Sequence, residues 1–145
     1  MKIRRAKASD AARCARISPI RTAEELTRLL QQDDVQWLVI EGEDETVVGL
    51  GIIHYWAWNR MAWIWDLTVA EKERGKGYGS ALLKGMLQAA KKAGARVMMD
   101  FGPPNPHACS LSELLVNNGF RICGMNDRWF ADHKNPTAVF YGYDL

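Results

Sequence analysis

Cysteine is scarce: Cys14, Cys109 and Cys123 are odd in number and show no Cys-x-x-Cys spacing. This argues against both a disulfide framework and a structural zinc site, so no metal is expected. Long apolar runs are missing as well. Nothing approaches the ~20 residues that cross a bilayer, and no signal-length apolar stretch follows the basic start Met1–Arg5. A reducing cytoplasm is the expected compartment, with no membrane partner. Charge of one sign is weak, at a net +2. A binder driven by phosphate neutralisation needs a concentrated basic face, so nucleic acid is not an expected partner. There is no internal repeat, linker or low-complexity segment.

What remains is a chain of 145 residues, 48% hydrophobic and 25% charged, which suits a single domain over residues 1–145. Tryptophan is abundant and clustered. Five of six lie between Trp37 and Trp65 (Trp37, Trp56, Trp58, Trp63, Trp65), so aromatic surface is concentrated in one region.

Periodicity orders the elements. Lys2 to Lys7 reads as a strand. Ser9 is a candidate cap for a helix to Ile17, which Pro19 stops. Thr22-Ala23-Glu24-Glu25 is a capping box, and Leu26, Leu29 and Leu30 extend a helix over 23–32. Strands are expected at 35–40, 47–55 (reaching toward Trp58) and 61–69, with turns at 42–45 and 59–60 forming an antiparallel meander. Leu82, Leu83, Met86, Leu87 and Ala90 mark one face of a long helix that Gly94 ends. A strand at 96–101, a short helix through Leu111, Leu114 and Leu115, and strands at 120–125 and 138–143 complete the chain. The strand–helix–strand unit between 61 and 101 predicts a right-handed crossover with parallel strands. The fold class is therefore α/β of the α+β kind: a mixed, mostly antiparallel sheet of about seven strands flanked by four helices.

Arg74-Gly75-Lys76-Gly77-Tyr78-Gly79 joins a strand to the long helix. Backbone amides at a helix start lack partners and can converge on an anion. Glycines let a bulky phosphate approach without Cβ clashes, and Arg74 and Lys76 add positive charge. Two common phosphate loops fail here. A Walker loop requires Gly-Lys-Ser/Thr, which is absent. A dinucleotide fingerprint requires GxGxxG, whereas the spacing here is GxGxG.

With Arg74, Gly77 and Gly79 on its Q/R-x-x-G-x-G/A signature, and with its element order, the chain resembles the GNAT superfamily of N-acetyltransferases. The resemblance implies acetyl-CoA as cofactor, with its pyrophosphate on the amides of Arg74, Gly75, Lys76, Gly77, Tyr78, Gly79 and Ser80. It also implies a pantetheine arm along Leu67, Thr68 and Val69, where that strand splays from the 96–101 strand. The expected reaction is transfer of an acetyl group to a primary amine of a small molecule, by direct attack in a ternary complex. A protein N-terminal amine is the alternative acceptor, and a non-catalytic acyl-CoA sensor the alternative role. Either a monomer or a homodimer is compatible.

The chemistry asks for a neutral amine. At pH 7 about a tenth of N-terminal amines are neutral, against about one lysine-like amine in 2,500, so a base matters more for the latter. Asp66 is the first candidate. Strict alternation groups it with Ile64 and Thr68, and turns Trp65 and Leu67 the other way. His54 and Asp100 are further candidates. Relatives often carry a tyrosine acid four residues before a Gly-Phe pair. Here the pair is Gly119-Phe120 and the position holds Leu115, while Asn105 and Ala108 lie about three residues early for the accompanying pattern. Ser112, Cys109, His107 and water are the local substitutes for the acid. Trp56, Trp65, Trp129 and Phe130 are expected at the acceptor. The last two, with Thr137-Ala138, resemble patterns of protein N-terminal acetyltransferases.

Overall fold

A computed structural model describes residues 1–145. Its strands are β1 (Lys2–Arg5), β2 (Val35–Glu41), β3 (Val47–Trp56), β4 (Met61–Val69), β5 (Val97–Gly102), β6 (Arg121–Asn126) and β7 (Ala138–Asp144). Its helices are α1 (Ala11–Ile17), α2 (Ala23–Leu29), α3 (Tyr78–Lys92) and α4 (Ser110–Asn117). The strands form one sheet in the order β1-β2-β3-β4-β5-β7-β6. Every pairing is antiparallel except β4 with β5. The predicted class, the meander and the parallel crossover are all present. No helix is long and apolar enough to cross a membrane.

Local chemistry explains the element ends. Thr22 Oγ1 accepts from the Glu25 amide and Glu25 Oε2 accepts from the Thr22 amide, a reciprocal cap that starts α2. Gly94, at φ +86°, ends the turn after α3. The start of the first helix differs from expectation. A 3₁₀ turn at Ala8–Asp10 precedes α1, and Asp10, not Ser9, accepts from the Lys7 amide at 2.7 Å. Asp10 does so because Arg4 already holds its carboxylate, donating to both oxygens at 2.8 and 3.0 Å. The second helix stops at Leu29, one turn short of the expected 23–32.

The two faces of the sheet are covered unequally. On one face α3 and α4 bury Leu82, Leu83, Met86 and Leu115 against Leu38, Ile53, Ile64, Met98 and Tyr141. Each large aliphatic side chain buried there contributes about 1.5–3 kcal/mol. On the other face α1 and α2 bury Cys14 and Leu26 against Trp37, Val39, Leu50 and Ile52. That second layer rests on β2 and β3 and leaves the opposite half of its face free of helix. Trp37 belongs to it and is core.

The approach of α3 to β3 depends on one missing side chain. A Cβ at Gly51 would stand 2.4 Å from Met86 Sδ, and Met86 is fully buried. Gly51→Ala is expected to cost about 1–3 kcal/mol by overpacking. Urea denaturation checks this, and Met86→Ala on the same background should recover part of the loss, because its cavity receives the new methyl group.

Candidate active site

The parallel ladder between β4 and β5 has three rungs: Met61 with Val97, Ala62 with Met98, and Trp63 with Met99. Beyond them the strands part. The edge of β4 from Ile64 to Val69 has no strand partner on the β5 side, while β5 continues on β7 through Gly102. The cause lies in the register of β4 on β3. Ile53 pairs with Ile64 but the adjacent Ile52 pairs with Asp66, so Trp65 is the extra residue of a β-bulge. A bulge bends its strand and increases its twist, and this one follows the last parallel rung by two residues.

The bulge also corrects the expected facing of Asp66. Ile64 and Leu67 pack toward α3. Asp66, Trp65 and Thr68 share the opposite face: Trp65 lies on His54 with centroids 4.0 Å apart, and Thr68 Oγ1 donates to Asp66 Oδ1 at 2.7 Å. Ser18 Oγ donates to Asp66 Oδ2 at 2.7 Å, with Arg21 Nε 3.8 Å away. Arg21 also donates through Nη2 to the Trp65 carbonyl. Asp66 is thus a buried carboxyl group held by the connection between α1 and α2. Ser18 and Arg21 carry no signal in the sequence, because only the tertiary path of that connection brings them to β4.

At the C-terminal end of β4, the Arg74 amide donates to Glu71 and the Ala81 amide to Gly77, whereas the amides of residues 75–80 have no partner in the chain. Gly75 at φ +77° and Gly77 at φ +86° take the left-handed region that other residues disfavour. Arg74 Nε donates to the Val69 carbonyl at 3.1 Å, fixing the loop to the free edge of β4. Lys76 pairs with Glu73 at 2.9 Å. Tyr78 turns its ring into the core and offers only backbone. Ser80 Oγ accepts from Asn118 Nδ2 at 3.3 Å. A row of free donors at a helix start, beside an unpaired strand edge, fits a pyrophosphate followed by an amide-bearing arm.

Asp100 lies on β5 just past the last parallel rung. It is only 4% exposed and shares the face of Met98 and Gly102, toward α3 and α4. Its Oδ1 accepts from the Phe101 amide at 2.8 Å, and its Oδ2 has no partner. Burial pushes its carboxyl up to about 7, against the single backbone bond that favours the anion. Ser112 and Leu115 face the same layer from α4. Ser112 Oγ sits where a Gly102 Cβ would be (2.3 Å), and Leu115 is fully buried. The position where relatives carry a tyrosine is therefore core. His107 and Cys109 stand outside this layer, on the exposed turn before α4, where His107 faces Glu113 at 3.3 Å.

His54 is differently placed from expectation. Trp56 Nε1 can only donate, and it donates to His54 Nδ1 at 2.9 Å. The ring therefore carries its proton on Nε2, which donates to Asp34 Oδ2 at 2.9 Å. With both nitrogens engaged, His54 has no lone pair for an acceptor's proton; the arrangement builds a surface. That surface continues from His54 and Trp65 through Trp56, Trp63, Phe140, Trp129 and Phe101, with successive ring centroids 4.9–6.2 Å apart. Phe130 adds to it from Phe101 at 6.2 Å. Trp56, Trp65, Trp129 and Phe130 thus join one aromatic face, over the half of the sheet that α1 and α2 leave bare. Asp34, which anchors His54, had no signal in the sequence.

Similarity to known proteins agrees with this geometry. The family model for the acetyltransferase (GNAT) family matches residues 7–114. Streptothricin acetyltransferase of Streptomyces lavendulae is 30% identical over 94 residues, which is 64% of this chain and 48% of that protein. The chain thus spans about half the length of that curated relative. The ribosomal-protein-alanine N-acetyltransferase of Brucella melitensis superposes over all of both chains with a TM-score of 0.83 at 20% identity. A streptothricin acetyltransferase-like protein of Bacillus anthracis, solved with acetyl coenzyme A, superposes over 81% of this chain and 66% of its own, with a TM-score of 0.70 at 20% identity. A free row of loop amides, a split sheet and a family match across residues 7–114 converge: the chain belongs to the acetyltransferase (GNAT) family.

Proposed function

We propose that this protein transfers an acetyl group from acetyl-CoA to a primary amine of a small molecule, by direct attack in a ternary complex. One observation carries the reading. The gap between β4 and β5 has amides without partners in the chain at one end and an aromatic face on the side away from α3. Two ligands entering from those directions meet at Trp65–Leu67. Acetyl-CoA supplies the activated thioester, whose leaving group has a thiol-like pKa of ~8.5.

The residues of the chain divide the proton handling. Asp66 lies on the acceptor side, where its anion, held by Ser18 and Thr68, orients the incoming ammonium and takes its proton through water. Asp100 lies on the cofactor side and, near neutrality, holds a proton to give to the departing thiolate. This replaces the tyrosine that position 115 lacks. Ser112, packed under Gly102, supports the strand end and is not assigned a proton.

A thiol-release assay across small amines, diamines and short peptides tests the function, with calorimetry on acetyl-CoA. Release with small amines supports it, release with peptides alone moves the acceptor to protein N-termini, and binding without release for every acceptor leaves a sensor. Gly77→Asp is expected to abolish acetyl-CoA binding, because it adds strain and negative charge at φ +86°, with an unchanged circular dichroism spectrum. Asp66→Asn should slow turnover at pH 7 by about a hundredfold; a normal rate removes it from the mechanism.

Asp100 has a signature in stability. The unfolded chain loses this proton near the ordinary value of 3.8 and the folded chain near 7. Between those values the folded state binds more protons, so stability falls as pH rises and is level above about 7. Asp100→Asn is therefore expected to gain on the wild type in thermal melts more at pH 8 than at pH 5. It should also lower kcat by about a hundredfold.

A further inference from the structure

The aromatic face does not end at the reacting centre. It runs along β3 to the β3–β4 hairpin, where an open cleft of about 400 Å³ is lined by Asp34, His54, Trp56 and Trp58 among others. Trp58 is 82% exposed there. Its indole and that of Trp56 line the cleft together and present a contiguous aromatic surface. Neither proton-handling carboxylate, Asp66 or Asp100, lines this cleft.

Its charge has one sign. Asp34 is half exposed, spends Oδ2 on His54 and makes no bond within the chain through Oδ1. His54 is itself committed: Trp56 donates to its Nδ1, and its Nε2 is spent on Asp34 Oδ2. The guanidiniums near the hairpin do not line the cleft; Arg60 Nε donates to the Gly94 carbonyl and Arg96 Nε to the Asn59 carbonyl, each at 2.9 Å. Indole faces attract a cation through their quadrupole, and a carboxylate at the cleft wall adds to it. An apolar tail would use the indoles but gain nothing from Asp34.

Resting on the acetyl-transfer reading above, we propose that this cleft binds a second cationic group of the acceptor, so that the substrate is a long-chain diamine or polyamine-like cation. The spacing follows from the strand. Trp65 faces the Ile52–Ile53 step of β3 and Trp56 lies at its end. At ~3.3 Å per residue, the two cations are separated by roughly 10–13 Å. His54, which lies between them, lines the intervening methylene chain. A short diamine cannot reach both ends and behaves as a monoamine.

The test compares KM for octamethylenediamine, trimethylenediamine and n-octylamine in the wild type, Trp58→Ala and Asp34→Asn. The asparagine retains an oxygen for His54 Nε2 and removes only the charge. The wild type is expected to favour octamethylenediamine over n-octylamine by about tenfold in KM, and each variant to collapse that ratio toward one. Equal KM values in the wild type, or a ratio that survives both substitutions, would overturn the cation site while leaving the acetyl-transfer reading intact. If no amine is acetylated, that reading fails by itself, and calorimetric titration of octamethylenediamine decides the site. Binding lost in Trp58→Ala and Asp34→Asn supports it; no binding to the wild type overturns it.

Discussion

The parting of β4 from β5 after three parallel rungs is the constraint on which the rest of the structure depends. Were the ladder to continue, the backbone edge from Ile64 to Val69 would be satisfied by β5 and nothing could lie along it. The chain instead leaves that edge free and pairs β5 with β7 on its other side, so both halves of the sheet remain intact. The bulge at Trp65 supplies the bend at the point where pairing must stop. It also turns Asp66 to the face away from α3, beside Trp65 and Thr68. One inserted residue thereby sets the gap and assigns a carboxylate to one of its faces.

Asymmetric cover of the sheet follows the same logic. The α3–α4 layer extends from β2 across to β7 and must be tight, because the loop amides that begin α3 are placed by it. Gly51 under Met86 and Gly102 over Ser112 are the two points where a side chain has been removed to let that layer close. On the other face α1 and α2 stop at β3, and rings take over. Aromatic side chains suit a wall that no helix covers, since they bury apolar area with few rotatable bonds. The hydrogen bond from Trp56 to His54 stiffens that wall at its outer end, where no helix backs it.

Local chemistry was legible in the sequence, and parity between strands was not. The capping box at Thr22, the amphipathic α3, the glycine loop and the β4–β5 crossover each rest on a pattern within one segment. Alternation correctly pairs Trp63 with Trp65, but it cannot say which face they take, and it does not apply to Trp58, which lies in the turn beyond β3. It groups Asp66 rightly with Thr68 but wrongly with Ile64, because the bulge between them leaves no mark in composition. The partners of the functional side chains were invisible for a related reason. Ser18 and Arg21 reach Asp66, and Asp34 reaches His54, across 48, 45 and 20 residues of chain. Only the tertiary fold closes those distances.

The loss of the tyrosine and the perturbation of Asp100 have a common origin in packing. Leu115 and Ser112 turn the same face of α4 toward the sheet, and Gly102 has no side chain to hold the helix off. Asp100 and Gly102 occupy alternate positions of β5 on that face, so the close seating of α4 also excludes water from the carboxyl. A tyrosine at 115 would put its hydroxyl into this layer and require a partner there. Leucine requires none, and the desolvated carboxylate keeps its proton to higher pH instead. The close seating of α4 in this sense has two effects at once: it makes position 115 core and it raises the affinity of Asp100 for its proton.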